Sequence, residues 1–180
     1  MIKKNVLIII FLSFCIFSCT PMPTKTWTSS PVNQTSKNQY YEAQLETLKK
    51  NNNFFEMFRL TVINKSDKNL EIDWNKTRYI YNGRTRGGFV FKGIKPEDIK
   101  NLTIPSDIVS AGKTFSKEIA PAKLVAWAPY RDRSVGKNES GISYGIIPEG
   151  ENGINLVVRY NGKEVREQIT LTIVSKEAHR

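Results

Sequence analysis

The sequence predicts an all-β fold: an immunoglobulin-like antiparallel β-sandwich of about seven to nine strands, carrying a short N-terminal helix, with a small β-barrel as the alternative closure. Three observations lead there. Apolar residues alternate with polar ones, as in Phe58, Leu60 and Val62 against Arg59 and Thr61, or Leu70, Ile72 and Trp74 against Glu71, Asp73 and Asn75. Turn chemistry separates these runs, most clearly the two Asn-Gly pairs at Asn82-Gly83 and Asn161-Gly162, where a type I′ hairpin needs positive φ at both central positions. No cysteine follows Cys19, so no disulfide within the remaining chain takes the place of an apolar core, for which 39% hydrophobic residues suffice.

In chain order, residues 1–18 read as a signal peptide: Lys3 and Lys4 precede an apolar run from Val6 to Phe17 that is broken only by Ser13 and has no polar stripe at helical spacing. That run is too short to span a bilayer as a mature helix. The two cysteines, Cys15 and Cys19, are not spaced as a redox pair, and no further Cys or His stands at the offsets a metal site needs; the single histidine, His179, is the penultimate residue. Neither a metal nor another cofactor is expected.

Ile16-Phe17-Ser18-Cys19 resembles a bacterial lipobox, with Phe17 bulkier than the residue usual at its position. The resemblance implies cleavage before Cys19 by a signal peptidase of type II, lipidation of Cys19 and loss of Cys15 with the signal. It also implies a lipid-anchored protein of the bacterial cell envelope, at the outer membrane and facing the periplasm or the surface. Two or more acyl chains anchor stably where one binds only marginally. Replacing Cys19 by serine is therefore expected to move the protein out of the detergent phase, while Cys15→Ser changes nothing.

Residues 19–38, rich in Thr, Ser, Pro, Asn and Gln, read as a flexible tether that holds the domain roughly 25 Å from the lipid. Its one large apolar residue, Trp27, is expected to be incidental or to touch the domain, in preference to anchoring at the interface. Tyr41, Leu45 and Leu48 stand at i, i+4 and i+7, one face of a helix over residues 39–53 that "KKNNN" ends. The sandwich is expected over residues 54–176. Its eight strand-like runs are Phe54–Ile63, Leu70–Trp74, Arg78–Tyr81, Phe89–Phe91, Thr114–Ile119, Leu124–Trp127, Ile154–Tyr160 and Val165–Val174. The globular part resembles small bacterial lipoproteins with a similar "DWN" strand end at Asp73 to Asn75, a resemblance that implies no activity.

Catalytic sets are absent from the pattern. Ser-His and Cys-His pairs have no histidine except His179, and the carboxylates Asp73, Asp132, Glu139, Glu149 and Glu151 have no spacing that pairs them. "GRTRGG" lacks the Lys-Ser/Thr ending of a phosphate loop and precedes a strand instead of a helix. The Asn-x-Ser/Thr sequons at Asn33, Asn64, Asn75, Asn101 and Asn138 mark turns in an Asn-rich chain.

Charge is the remaining signal. The chain has 27 Lys and Arg against 17 Asp and Glu, a net +10, and loss of Lys3 and Lys4 leaves 25 − 17 = +8. The basic residues are spread and not gathered with interleaved aromatics, so nucleic acid is not the expected partner; an acidic glycan, a lipid headgroup or a protein is. Pro129 to Gly153 reads as a long loop whose Tyr130, Arg131, Arg133, Lys137 and Tyr144 are the candidate binding residues, being of types that suit binding hot spots or an acidic partner. The sequence thus predicts a non-enzymatic, membrane-anchored binding or structural accessory module that contacts a protein partner or an acidic envelope component. The alternative is a glycan-acting enzyme or glycan-binding module of the envelope.

Overall fold

The computed structural model describes residues 25–50, 54–92, 94, 104–131 and 138–177. Among these the chain forms fourteen strands: β1 (Lys25–Ser30), β2 (Asn33–Lys37), β3 (Tyr41–Lys50), β4 (Phe54–Asn64), β5 (Leu70–Ile72), β6 (Arg78–Tyr81) and β7 (Arg84–Thr85), then β8 (Phe89–Phe91), β9 (Asp107–Val109), β10 (Thr114–Pro121), β11 (Val125–Arg131), β12 (Asn138–Tyr144), β13 (Gly150–Tyr160) and β14 (Lys163–Glu177). The larger sheet runs β1-β14-β13-β5-β9, with β6 also paired to β13 and β7 to β6; the second runs β2-β3-β4-β10-β8; β11 and β12 form a separate hairpin. All pairings are antiparallel and both sheets are open, so the molecule is a sandwich and not a barrel.

Each of the eight strand-like runs of the sequence contains a strand, although Trp74 lies in the turn after β5 and Leu124 in a 3-10 turn before β11, and their alternation is the reason the two sheets meet. Phe58, Leu60 and Val62 of β4 in the second sheet pack in one core with Trp74 and with the inward residues of the larger sheet, Leu70 and Ile72 of β5, Ile154, Leu156 and Val158 of β13 and Ile169, Leu171 and Ile173 of β14. Each large apolar side chain so buried stabilises by about 1.5–3 kcal/mol. Both Asn-Gly turns form as expected, with φ of 46° and 71° at Asn82 and Gly83 and 50° and 78° at Asn161 and Gly162. They close the β6–β7 and β13–β14 hairpins at Tyr81↔Arg84 and Tyr160↔Lys163. In the "NKSDKN" turn the Asn64 carboxamide oxygen accepts the Ser66 N–H at 2.9 Å while its amide donates to the carbonyls of Lys68 and Val109.

Three boundaries are corrected. The helix expected over residues 39–53 is absent: Tyr41–Lys50 is the strand β3, paired with β2 on one side and β4 on the other. The spacing of Tyr41 and Leu45 satisfies a period of two as well as one of 3.6, and Ala43 and Thr47, buried between and beyond them, decide for the strand. The flexible tether is not the whole of residues 19–38, since β1 and β2 occupy Lys25–Ser30 and Asn33–Lys37. Thr and Ser suit an edge strand as well as a linker. Chain passing through the cis Ser30–Pro31 peptide links the two sheets along one side of the sandwich. Trp27 packs against the core, as expected of a residue in contact with the domain. The long loop from Pro129 to Gly153 resolves in part into a hairpin, with β12 paired to β11 from Val125↔Tyr144 to Arg131↔Asn138, and into the start of β13 at Gly150.

The "DWN" segment has a structural task. Between the stretches of β13 that pair with β5 and with β6, the Asp73 N–H donates to the Val157 carbonyl and the Thr77 hydroxyl accepts the Val157 N–H. The turn from Asp73 to Thr77 thus replaces the ladder where β5 ends and β6 has not begun. Asp73 is buried and paired with Arg159, and its carboxylate also accepts the Lys76 N–H at 3.1 Å.

Candidate functional site

The run Phe54-Phe55-Glu56-Met57-Phe58 does not alternate, and the fold uses the irregularity. Along β3 and β4 the register is regular from Tyr41↔Asn64 to Leu48↔Met57, then jumps to Lys49↔Phe55. Glu56 is the additional residue, which makes this a β-bulge, a device that re-aims side chains. Phe55 and Phe58 therefore both face the core despite their odd spacing, while Met57 turns to the outer face of the second sheet.

There Met57, Val90 and Ala120 form a small apolar cluster with Leu48, Ile94, Ala122, Val125 and Tyr144 packed against it. The base of the β11–β12 hairpin closes one side. Tyr144 donates its hydroxyl to the Phe91 carbonyl at 3.1 Å, and the Gly145 N–H donates to the Leu124 carbonyl at 2.8 Å. A Cβ on Gly145 would stand 2.3 Å from that same carbonyl oxygen, so this contact requires glycine.

The result is a cleft of about 450 Å³ lined by Leu48, Lys49, Glu56, Met57, Arg59, Lys92, Glu118 and Tyr144. Its floor is apolar and its rim is charged. Arg59 bridges Glu46 at 3.1 Å and Glu118 at 3.3 Å, and Lys92 meets Glu118 at 2.7 Å. The Lys92 ammonium, hydrogen-bonded to Glu118, holds that carboxyl below the ordinary carboxylate range against the opposing effect of burial, and Arg59 adds to it. Lys49 lies 5.5 Å from the centre of the Phe55 ring. The ladder pins Arg59 and Glu118 and leaves the methionine, leucine and tyrosine surfaces as the part of the cleft that gains from being covered.

Of the candidate residues named from sequence, Tyr144 lies in this cleft. Tyr130 and Arg131 are on β11, along the hairpin away from the cleft by their register with Glu139 and Asn138. Cys19, Arg133 and Lys137 lie outside the described residues. The cleft itself was missed, although the broken alternation at Phe54 to Phe58 and the opposite parity of Leu48 to Tyr41 and Leu45 were available signals. Among the carboxylates, Asp73 serves the turn and the ion pair described above, and Glu149 accepts the hydroxyl of Ser175. Among the described residues no three His, Cys, Asp or Glu side chains gather to hold a metal ion, and no helix is long and apolar enough to cross a membrane.

No family model matches the chain, and no curated protein or solved structure matches it.

Proposed function

We propose that the protein is a non-enzymatic lipoprotein of the bacterial envelope, anchored through Cys19, whose sandwich is a binding module for a protein partner. The observation that carries the binding reading is the outer-face cleft: an apolar floor of Leu48, Met57 and Tyr144 beside two cations that are already matched, Arg59 with Glu46 and Glu118 and Lys92 with Glu118, and a third, Lys49, near the Phe55 ring. An acidic glycan or headgroup would have to compete with those carboxylates for two of the three cations. An apolar side chain of a protein partner gains the floor without breaking them. That difference favours the protein over the acidic component at this site, and aromatic or methionine surfaces are common anchors at interfaces.

The anchor reading is supported by the basic start, the apolar run and the lipobox-like end at Cys19. It places the cleft outside the cytosol and confines its partner to the envelope.

Met57→Arg is the test of the cleft. Met57 is 8% exposed at the floor, on the outer face of the sheet, where a long side chain can leave toward solvent. The variant is expected to keep a melting transition within a few degrees of the parent while recovery of the partner after in-cell crosslinking falls by at least tenfold. Unchanged recovery from a folded Met57→Arg protein would remove the cleft from the binding site.

A further inference from the structure

If Cys19 carries the lipid, the point at which the chain enters the sandwich decides which surface meets the bilayer. β1 begins at Lys25, six residues beyond Cys19. Six residues span at most about 20 Å fully extended, and about 13 Å on average as a coil. The domain is thus held at the membrane surface.

The registers define the end of the sandwich at which Lys25 lies. Lys25 is opposite Glu177 and Thr26 is opposite Lys176; Gly150 is opposite Ile173, and Tyr81 is opposite Asn152, which puts the Asn82-Gly83 turn and Arg84 at the same end. The start of β4 joins them, because the Ile147 N–H donates to the Phe55 carbonyl. The Asn161-Gly162 turn, Tyr40 and Lys65 lie at the opposite end.

Exposed cations without an ion pair among the described residues stand at both ends, and the point of chain entry selects between them. At the far end Glu42 pairs with Lys37 and Lys65, and Glu164 with Lys76 and Arg166, while Lys68, Lys113 and Lys163 are exposed and unpaired among the described residues. At the Lys25 end, Lys25, Arg84 and Lys176 are exposed and make no ion pair among the described residues. The acids there are Glu149, which accepts the Ser175 hydroxyl, Glu151, and Glu177, which stands opposite Lys25 in the register. Ile146, 47% exposed, and Val174, 37% exposed, add apolar surface beside them. We infer that this end of the sandwich is a docking face for anionic phospholipid headgroups, which Lys25, Arg84 and Lys176 contact while the acyl anchor holds the chain down. The inference rests on the anchored reading of Cys19. Near an anionic leaflet each basic residue strengthens attachment about fivefold, an attraction that reaches about 8 Å at physiological salt and so acts when this end of the sandwich rests on the headgroups.

The test uses the full chain, lipidated and reconstituted into vesicles of phosphatidylglycerol and phosphatidylethanolamine that carry a headgroup quencher. A fluorophore is placed through Thr26→Cys at the proposed face, or through Ala111→Cys at the other end, both exposed positions. Quenching is expected to be several-fold stronger at position 26 than at position 111, and to lose most of that difference when Lys25, Arg84 and Lys176 are changed together to glutamine. Equal quenching of the two labels on vesicle-bound protein overturns the face and leaves the anchor standing. A difference that survives the triple change overturns the headgroup contact, since the tether alone then orients the domain. Protein that stays in the supernatant contradicts the anchor reading, and the docking face falls with it.

Discussion

Replacing Trp74 by alanine is expected to cost about 3–5 kcal/mol, the upper range for removing a buried aromatic side chain. Trp74 is 2% exposed and stands edge-on to Phe91 with ring centres 4.8 Å apart. Its indole N–H donates to the Asp107 carboxylate at 2.7 Å, and Lys117, itself paired with Asp107, lies 5.6 Å from the indole and 4.0 Å from Phe91. Alanine therefore removes the packed ring, one hydrogen bond and part of the aromatic seat of a lysine at once. Trp74→Phe keeps most of the area and loses the hydrogen bond, so about 1–2 kcal/mol is expected. Glu71→Ala, at a half-exposed partner of Arg159, is expected to cost less than about 1 kcal/mol. Chemical denaturation of the three variants checks the order; similar small losses for Trp74→Ala and Glu71→Ala would show that Trp74 does not hold the sheets together.

The second large effect is expected at Gly153. A Cβ there would lie 2.2 Å from the Ile169 carbonyl oxygen and 2.8 Å from the Thr170 Cα, both backbone atoms that no rotamer change moves away. Gly153 is opposite Thr170 in β14 and Ile80 in β6, in the interior of the larger sheet. Gly153→Ala must therefore push strands apart, at about 3 kcal/mol or more, the upper end of what overpacking costs. Gly88→Ala is the control, since nothing lies within 4 Å of its Cβ position. A Gly153→Ala protein as stable as Gly88→Ala would mean that β13 and β14 do not approach as described.

The core strands were legible because each buries one face, which forces a period of two into Phe58, Leu60 and Val62 or Ile154, Leu156 and Val158. The Asn-Gly turns were legible because few other pairs tolerate their backbone. What stayed hidden was hidden for physical reasons. β3 was misread because its aliphatic and aromatic residues, taken alone, also fit a helix, and its decisive partners Ala43 and Thr47 are small or polar. β1 and β2 carry polar residues suited to strands at the edge of a sheet. Their pairing with β14 and β3 is a non-local fact that a composition cannot hold.

The candidate site was legible only through Tyr144. The cleft depends on a register jump between two strands and on the base of a hairpin lying over a third, and neither is a property of one segment. The bulge leaves a trace in the unalternating "FFEMF", but a trace that says alternation fails without saying which side chains go out.

The proposal that the cleft receives a protein partner is tested most directly by placing a photo-activated crosslinking side chain at Leu48, in the cleft, or at Ile108, 58% exposed on β9 of the other sheet, in cells producing the full chain. The account predicts a discrete protein adduct from position 48 that is absent from position 108 and disappears when Met57→Arg is added. Adducts of equal yield and pattern from both positions, unaffected by Met57→Arg, would contradict it.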